Sequence, residues 1–244
     1  MNPVSFPVIF LWAHSRSAST AFVRMMIERG DVTVLHEPLL ALTEEGSVAL
    51  PAPGGGVVQA STEREFLDGL AELGRSRPVF IKEVCDYRYR YLIEHPQEIA
   101  WIAHTFLVRD PRLAISSHFA MKPTVTCPEI GYERLHELFQ LTWSVTGRKP
   151  LVIRAEQLLR EPARVVGAYC EALGLPVRPD ALAWSPQDRP EWQRHRAWHL
   201  DAIRSTGFHD NERTYPVTVD NNAALRSFYD YHYPFYERIV QYAL

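Results

Sequence analysis

The chain has 244 residues, of which 46% are hydrophobic and 23% are charged, and its formal net charge is −3. These values indicate a soluble globular protein, which we expect to form one domain over residues 1–244, and they argue against a broadly basic surface for nucleic acid. The three cysteines, Cys85, Cys127 and Cys170, form neither a metal-type pair nor a disulfide framework. That usage is expected in a reducing cytoplasm, and no apolar run is long enough to suggest a membrane span.

The first motif joins an apolar run over residues 8–12 to a polar segment over residues 14–20, after which apolar residues recur at helical spacing. This pattern predicts a buried strand, a tight loop and a helix. The first N–H groups of a helix lack intrahelical partners and attract anions, and an arginine adds a fork that fits phosphate or sulfate oxygens. An ordinary strand followed by a helix with several N-caps would show the same pattern. We predict an anion site at Ser15, Arg16, Ser17, Ala18, Ser19 and Thr20.

Four further apolar runs, at residues 32–35, 78–84, 103–108 and 150–154, alternate with helical patterns. This alternation predicts a parallel sheet of about five strands with helices on both faces. Residues 46–61 contain Pro51, Pro53 and three consecutive glycines, so we predict a long mobile loop there. Residues 177–244 are predicted to be mostly helical.

Three ionisable residues lie at or near the ends of predicted strands. His36 and Glu37 follow the second strand, and Pro38 excludes the right-handed helical conformation for Glu37. Ligands of open α/β sheets bind at such ends, although a polar strand end facing water would give the same pattern. Because adjacent side chains of an extended segment point in opposite directions, we expect one of the two to face a site. Lys82 lies within an apolar strand, either at its exposed end or buried with a partner.

A second strand-to-helix junction carries anion-binding chemistry at Arg109. The fourth predicted strand runs directly into Arg109, Asp110 and Pro111. Asp110 is a favourable N-cap and Pro111 a favourable first helical residue, which puts Ser117 about two turns into the helix. Two such junctions on one sheet predict a ligand with separated anionic groups, bound by the first loop and by Arg109 with Ser117.

The first loop does not fit an ordinary nucleoside triphosphatase. The Walker pattern G-x-x-x-x-G-K-[ST] requires glycines for close backbone approach and a lysine for the phosphates. The segment over residues 14–20 has no glycine, and Arg16 takes the basic position.

At these residues the sequence resembles the sulfotransferases that use 3′-phosphoadenosine 5′-phosphosulfate (PAPS). The segment Ser15-Arg16-Ser17-Ala18-Ser19-Thr20 is similar to their 5′-phosphosulfate loop, P-[KR]-S-G-[ST]-T, with serine for the proline and alanine for the glycine. Arg109-Asp110-Pro111, with Ser117 at the family's spacing, is similar to their 3′-phosphate motif. Residues 151–176 resemble the family's "YEDL…P…LGLP" segment, so the resemblance covers roughly residues 8–176.

The resemblance implies a P-loop-like sulfotransferase fold of class α/β and transfer of a sulfuryl group from PAPS to a hydroxyl or amine of a small-molecule acceptor, giving PAP. The first loop would bind the 5′-phosphosulfate, and Arg109 with Ser117 the 3′-phosphate. Glu37 is the first choice as general base and His36 the second, while Lys82 would pair with the sulfuryl group or with the base. Arg16 would stabilise the leaving phosphate. No metal, nucleic-acid or membrane partner is expected, and a homodimer is left open.

Three departures from the family bear on these expectations. Ala18 replaces a glycine, so a positive φ at this position would cost energy. The family's glycine-rich segment near the C-terminus and its lysine-then-histidine motif are both missing, and the Arg-, His- and Trp-rich residues 194–208 are the candidate replacement for the former. The competing functions are a nucleotide kinase that uses Mg²⁺ and a PAP-binding protein without catalytic activity.

Overall fold

A computed structural model describes residues 4–52, 54–210 and 213–244, and a five-stranded parallel sheet lies at its centre. The strand order is β2-β5-β1-β6-β7, and every neighbouring pair is parallel. The strands of the described residues are β1 (Val8–Ala13), β2 (Thr33–His36), β3 (Val48–Pro51), β4 (Val57–Ala60), β5 (Val79–Val84), β6 (Ala103–Val108) and β7 (Leu151–Arg154). All five strands predicted for the sheet are confirmed, to within two residues at each end.

Helices cover both faces of the sheet, as the alternating pattern predicted. The α-helices of the described residues are α1 (Ser19–Glu28), α2 (Pro38–Glu45), α3 (Glu63–Leu73), α4 (Arg90–Glu94), α5 (Pro111–Met121), α6 (Tyr132–Thr146), α7 (Ala155–Arg160), α8 (Pro162–Ala172), α9 (Leu200–Arg204) and α10 (Ala223–Val240). Short 3-10 turns lie between several of them. Within the described ranges, no helix combines the length and the apolar character that a bilayer crossing requires.

The central strand β1 separates two hydrophobic cores. Its six residues are all buried and apolar, as expected for a strand covered on both faces. Because successive side chains of a strand alternate, Phe10 joins a core with α3, α5, α6 and α10, whereas Leu11 joins a second core with α1 and α8. This double burial fixes β1, and with it the loop that follows.

Parallel strands place the segments after β1, β2, β5 and β6 at one edge of the sheet. Asp110 begins α5 as predicted, because its carboxylate accepts a hydrogen bond of 2.8 Å from the N–H of Arg112. Binding sites in such sheets form at this edge, beside strands whose connections lead in opposite directions. The fold therefore brings the two predicted anion motifs and the residues after β2 to the same place.

The prediction of a loop at residues 46–61 is wrong over half of its length. Strands β3 and β4 pair antiparallel there, with Leu50 opposite Val58. Leu50 and Ala60 are buried against α3, and this apolar anchoring outweighs the loop-forming composition. The glycines serve the connection, where Gly55 and Gly56 have positive φ. Pro53 lies outside the described residues.

Candidate active site

A cavity of about 660 Å³ opens at the carboxyl edge of the sheet, a volume suited to a small molecule or cofactor. Nearly every residue that the sequence singled out lines it. Those residues are Ser15, Arg16, Ser17, Ala18, Ser19, Thr20, Glu37, Lys82, Arg109 and Ser117. His36 is not among the lining residues.

The loop between β1 and α1 has the backbone geometry of an anion site. Arg16 and Ala18 both have left-handed backbones, with φ of 67° and 69°. Left-handed residues in such loops turn successive N–H groups toward one side and form anion-binding concavities. The N–H groups of residues 17–20 donate to no carbonyl or side chain among the described residues. The sequence left the sign of φ at Ala18 open, and the observed positive φ costs roughly 1–2 kcal/mol relative to a relaxed backbone.

Two buried polar atoms at this cavity lack a partner in the described part of the chain. They are the hydroxyl of Ser17, which is fully buried, and Nε of Arg109. Buried donors in native proteins are almost always hydrogen-bonded, so each unmet donor calls for an explanation. Anionic oxygens bound in the cavity would supply the missing partners, and the side chains present therefore fit a ligand that bears phosphate or sulfate groups.

The two predicted anion motifs contact each other directly. Nε of Arg16 donates to Oγ of Ser117 at 3.0 Å, and Nη1 of Arg109 donates to the carbonyl of Arg16 at 3.1 Å. The backbone N–H of Arg109 also donates to Nε2 of the buried His14, at 3.1 Å. His14, for which the sequence suggested no clear function, therefore ties the end of β1 to the end of β6.

An aspartate links the guanidinium of Arg16 to a second arginine. Asp201 Oδ2 accepts from Arg16 Nη2 at 2.9 Å, and Oδ1 accepts from Arg213 Nη2 at 2.7 Å. Arg16 also donates to the carbonyl of Trp198, at 3.1 Å. These contacts come from the Arg- and Trp-rich stretch that composition had flagged. The residues within it were not predicted, because its irregular spacing gives no periodic signal.

Glu37 and Lys82 form a buried ion pair in the wall of the cavity. The Lys82 ammonium donates to Glu37 Oε1. Lys82 is only 2% exposed and Glu37 only 6% exposed. Burial opposes ionisation of Glu37, but Lys82 and neighbouring groups outweigh it and hold the pKa of Glu37 well below its ordinary value. Of the two alternatives for Lys82, burial with a partner is the one observed.

The backbone of Glu37 is left-handed, with φ of 52°, which agrees with the exclusion of the right-handed helix. This turn breaks the alternation of an extended strand. Glu37 lines the cavity and His36 lies behind it, yet His36 Nε2 is 3.7 Å from Glu37 Oε1. As expected, only one of His36 and Glu37 faces the cavity. The expectation that their two side chains point in opposite directions is wrong.

His36 meets a second buried histidine, His199. Their Nε2 atoms are 3.5 Å apart, and His199 Nδ1 lies 3.2 Å from the hydroxyl of Thr20. Burial, reinforced by the nearby Lys82 ammonium, lowers the pKa of His36 to about 3 and that of His199 to about 4. Both rings are therefore neutral near pH 7.

The side chains of His36, Glu37 and His199 place two ring nitrogens and a carboxylate oxygen at the spacing of metal ligands. The sequence did not suggest this cluster. One atom each from His36, Glu37 and His199 lies within 4.8 Å of the others. The Lys82 ammonium already binds the Glu37 carboxylate and would repel a cation there. The three residues consequently fit a divalent metal poorly.

Two acidic residues near Lys82 were missed from the sequence. Glu83 is fully buried and accepts from the N–H of Leu39 at 2.7 Å, so it caps the helix α2 that begins after Glu37. Burial, followed by repulsion from Glu37, raises the pKa of Glu83 to about 8. The same causes raise the pKa of Asp86, which lines the cavity, to about 6. The sequence did contain one signal for Glu83, since it is a second charged residue directly after Lys82 in an otherwise apolar strand.

Known proteins match this chain along most of its length. A family model described as a sulfotransferase domain matches residues 8–242. The branched-chain-amino-acid aminotransferase-like protein 2 of Arabidopsis thaliana is 26% identical over 216 residues, which are 86% of this chain and 38% of that protein. The chain thus spans well under half the length of the curated relatives that it matches.

The fold is similar to that of a solved structure. The sulfotransferase domain of the Synechococcus PCC 7002 olefin synthase superposes with a TM-score of 0.51 at 15% identity, over 92% of this chain and 94% of that domain. A sulfotransferase of Alicyclobacillus acidocaldarius gives a TM-score of 0.48 at 14% identity, over 82% of this chain and 93% of that one. The likeness to the Synechococcus domain concerns the fold.

Proposed function

The chain belongs to the sulfotransferase domain family, and we propose that it transfers the sulfuryl group of PAPS to a hydroxyl or amine of a small-molecule acceptor and releases PAP. The observation that carries the proposal is the direct contact of two anion motifs in one cavity. Arg16 of the first loop bonds Ser117 of the second motif, and Ser17 and Arg109 keep unmet buried donors there. A ligand with anionic groups at both ends of a nucleoside matches this arrangement.

The proposed binding residues divide between the two ends of PAPS. Arg16 and the N–H groups of residues 17–20 hold the 5′-phosphosulfate, in the manner of helix N-termini that bind phosphate. Arg109 and Ser117 hold the 3′-phosphate, and Arg109 is anchored for this by its bond to the carbonyl of Arg16. PAPS supplies an activated sulfuryl group whose bond to the 5′-phosphate breaks during transfer. Preorganised donors in the first loop stabilise the charge that develops on that phosphate.

Glu37 removes the proton of the acceptor in this proposal. The ion pair with Lys82 makes Glu37 a weak base, since it favours the charged form of the carboxylate. An anion beside Lys82 draws the ammonium toward itself, which weakens the pair and raises the pKa of Glu37. In this way Lys82 interacts with both partners that the sequence suggested for it, the sulfuryl group and the base. His36, buried behind Glu37, positions the base rather than replacing it.

The binding proposal is tested by calorimetry with PAP, AMP and ATP, the last with and without Mg²⁺. Recognition of both ends requires that PAP bind much more tightly than AMP, which lacks the 3′-phosphate. Equal affinity for PAP and AMP would contradict the assignment of Arg109 and Ser117. Tighter binding of Mg²⁺-ATP than of PAP, with phosphoryl transfer, would favour the kinase. The cytoplasmic location stays a prediction from the sequence, and a homodimer stays open.

A further inference from the structure

A line of four polar side chains runs along the wall of the cavity from Glu37 to Thr20, and His36 is its one member that does not line the cavity. Glu37 Oε1 lies 3.7 Å from His36 Nε2, which lies 3.5 Å from His199 Nε2. At the other side of the ring, His199 Nδ1 lies 3.2 Å from Thr20 Oγ1. The line thus joins the residue proposed as base to the last residue of the anion loop.

Both imidazole rings are buried and packed against a tryptophan. His199 is 4% exposed, and the side chain of His36 is 3% exposed. The fully buried Trp192 packs edge-on against His36, with ring centroids 5.1 Å apart, and lies 5.7 Å from His199. The rings cannot rotate freely to change their partners, so the positions of their protons decide the direction of every hydrogen bond in the line.

Each neutral ring carries one N–H and one lone pair. The facing Nε2 atoms of His36 and His199 form a hydrogen bond only if one of them is protonated and the other is not. The line therefore has two possible arrangements, and they point its hydrogen bonds in opposite directions.

The surroundings of His36 favour the proton on its Nε2. This atom faces the Glu37 carboxylate as well as His199, and a lone pair there would face an anion. The other nitrogen, Nδ1, is buried without a partner in the described residues. A proton on Nδ1 would be an unmet buried donor, and such donors are rarer in proteins than unmet acceptors. Both observations favour the arrangement in which His36 carries its proton on Nε2.

The direction of the other bonds follows. His199 accepts from His36 at Nε2, so its own proton is on Nδ1 and is donated to Oγ1 of Thr20. The Thr20 hydroxyl is an acceptor in that bond, and its proton points elsewhere. Because Thr20 lines the cavity, that proton is available to a ligand oxygen.

We propose that His36 and His199 are positioning residues that preset the Thr20 hydroxyl as a hydrogen-bond donor to the anion held by the first loop. The Thr20 hydroxyl then does not have to reorient when the anion binds, which is the property of a preorganised donor. The inference rests on the proposed function for the identity of the anion. The direction of the hydrogen bonds does not depend on it.

The first experiment reads the tautomers directly, by nitrogen-15 NMR of the histidine rings in wild-type protein without added nucleotide. The His199 and His36 signals are assigned with the variants His199→Asn and His36→Asn. We expect His199 protonated at Nδ1 and His36 protonated at Nε2. His199 protonated at Nε2 would overturn the inference, whether or not the protein binds PAP.

The second experiment measures PAP affinity in a double-variant cycle. Thr20→Val is expected to weaken binding about 10- to 150-fold, the range for a hydrogen bond to a charged group. His199→Leu is expected to weaken it by a smaller factor, because the Thr20 hydroxyl remains and loses only its preset direction. In the Thr20→Val background, His199→Leu should have no further effect. His199→Asn, whose amide can donate to Thr20, should retain most of the affinity. A purely structural histidine would instead give independent effects and no rescue by asparagine.

The matched control is His195→Leu, since His195 lines the same cavity but bonds Glu44 on α2. It should leave PAP affinity unchanged. If wild-type protein fails to bind PAP at all, the proposed function is wrong and the NMR result alone decides the inference. If PAP binds but the cycle shows independent effects, only the inference is overturned.

Discussion

Replacing Glu37 by glutamine removes one charge from the buried pair while keeping the shape of the side chain. Lys82 is left without its anionic partner in a site where it is 2% exposed. Removal of one member of a buried ion pair costs about 3–5 kcal/mol, because the other charge stays buried and unpaired. For a domain of this length, that loss corresponds to a fall in melting temperature of about 6–20 °C. Differential scanning calorimetry of both proteins measures it.

The same substitution removes the proposed base. A general base contributes about 10²–10⁴ to the rate, so kcat of Glu37→Gln should fall by that factor. PAP affinity should be retained or increased, because Lys82 is then free to bind the anion. Turnover is followed with PAPS radiolabelled in the sulfuryl sulfur, and affinity by calorimetry. A near-normal kcat would refute the assignment and direct attention to Asp86, the cavity-lining carboxyl with a pKa of about 6.

Two further variants separate the loss of stability, which comes from the unpaired charge of Lys82, from the loss of turnover, which comes from the missing base. Glu44→Gln alters a glutamate on the same helix, α2, that also lines the cavity but bonds Tyr87 and His195. It should preserve both kcat and melting temperature. The double variant Glu37→Gln/Lys82→Met removes both charges, so it should recover stability without recovering turnover.

Arg109→Ala is expected to weaken PAP binding about 10- to 150-fold, since a hydrogen bond to a charged group contributes about 1.5–3 kcal/mol. Arg112→Ala, which loses the exposed pair with Asp220 and the cation–π contact with Tyr229, should not weaken it, and equal calorimetric affinities for the two variants would contradict the 3′-phosphate assignment. Ala18→Gly should stabilise the protein by about 0.5–1 kcal/mol, because relief of the left-handed strain exceeds the entropy cost of glycine, whereas Ala21→Gly within α1 should destabilise it by a similar amount. Urea unfolding compares them, and a destabilised Ala18→Gly would speak against the loop geometry. Acid should destabilise the fold below the ordinary histidine pKa of 6.5, because buried histidines have a lowered pKa, five of them to about 3 or 4, and the unfolded chain then binds more protons. Each of these five lowers the free energy of unfolding by about 1.4 kcal/mol by about pH 5.5. The raised pKa values of Glu83 and Asp86 act in the opposite direction and offset part of this loss. A free energy of unfolding that is unchanged between pH 7 and 5 by circular dichroism would contradict the burial of the histidines. These histidines are His14, His36, His104, His118 and His199.

Local patterns predicted the central sheet well, because its strands are apolar on both faces. The run that became β1 is buried over its whole length, and the polar break after it marked the loop without ambiguity. Asp110 and Pro111 identified the start of α5 through backbone chemistry that acts over a few residues. The hairpin of β3 and β4 was missed, because its anchor is the contact of Leu50 with α3, which no local pattern contains.

The active-site contacts depend on which strands are neighbours, and this information is not local. Glu37 and Lys82 meet because β2 lies beside β5, although 45 residues separate them in sequence. Asp201 and His199 come from an irregular stretch in which composition indicated a function but spacing did not. The left-handed backbone of Glu37 was only partly foreseeable, since Pro38 excludes one conformation without selecting another.

Sulfuryl transfer itself is the most direct test. The protein is incubated with PAPS labelled in the sulfuryl sulfur and a mixture of hydroxylated and amine-bearing metabolites, and the products are separated and identified by mass spectrometry. We predict one labelled sulfated product, formed in equal amount with PAP and lost in Glu37→Gln. PAP binding without a labelled product from any acceptor would contradict the account and indicate a binding protein without catalytic activity.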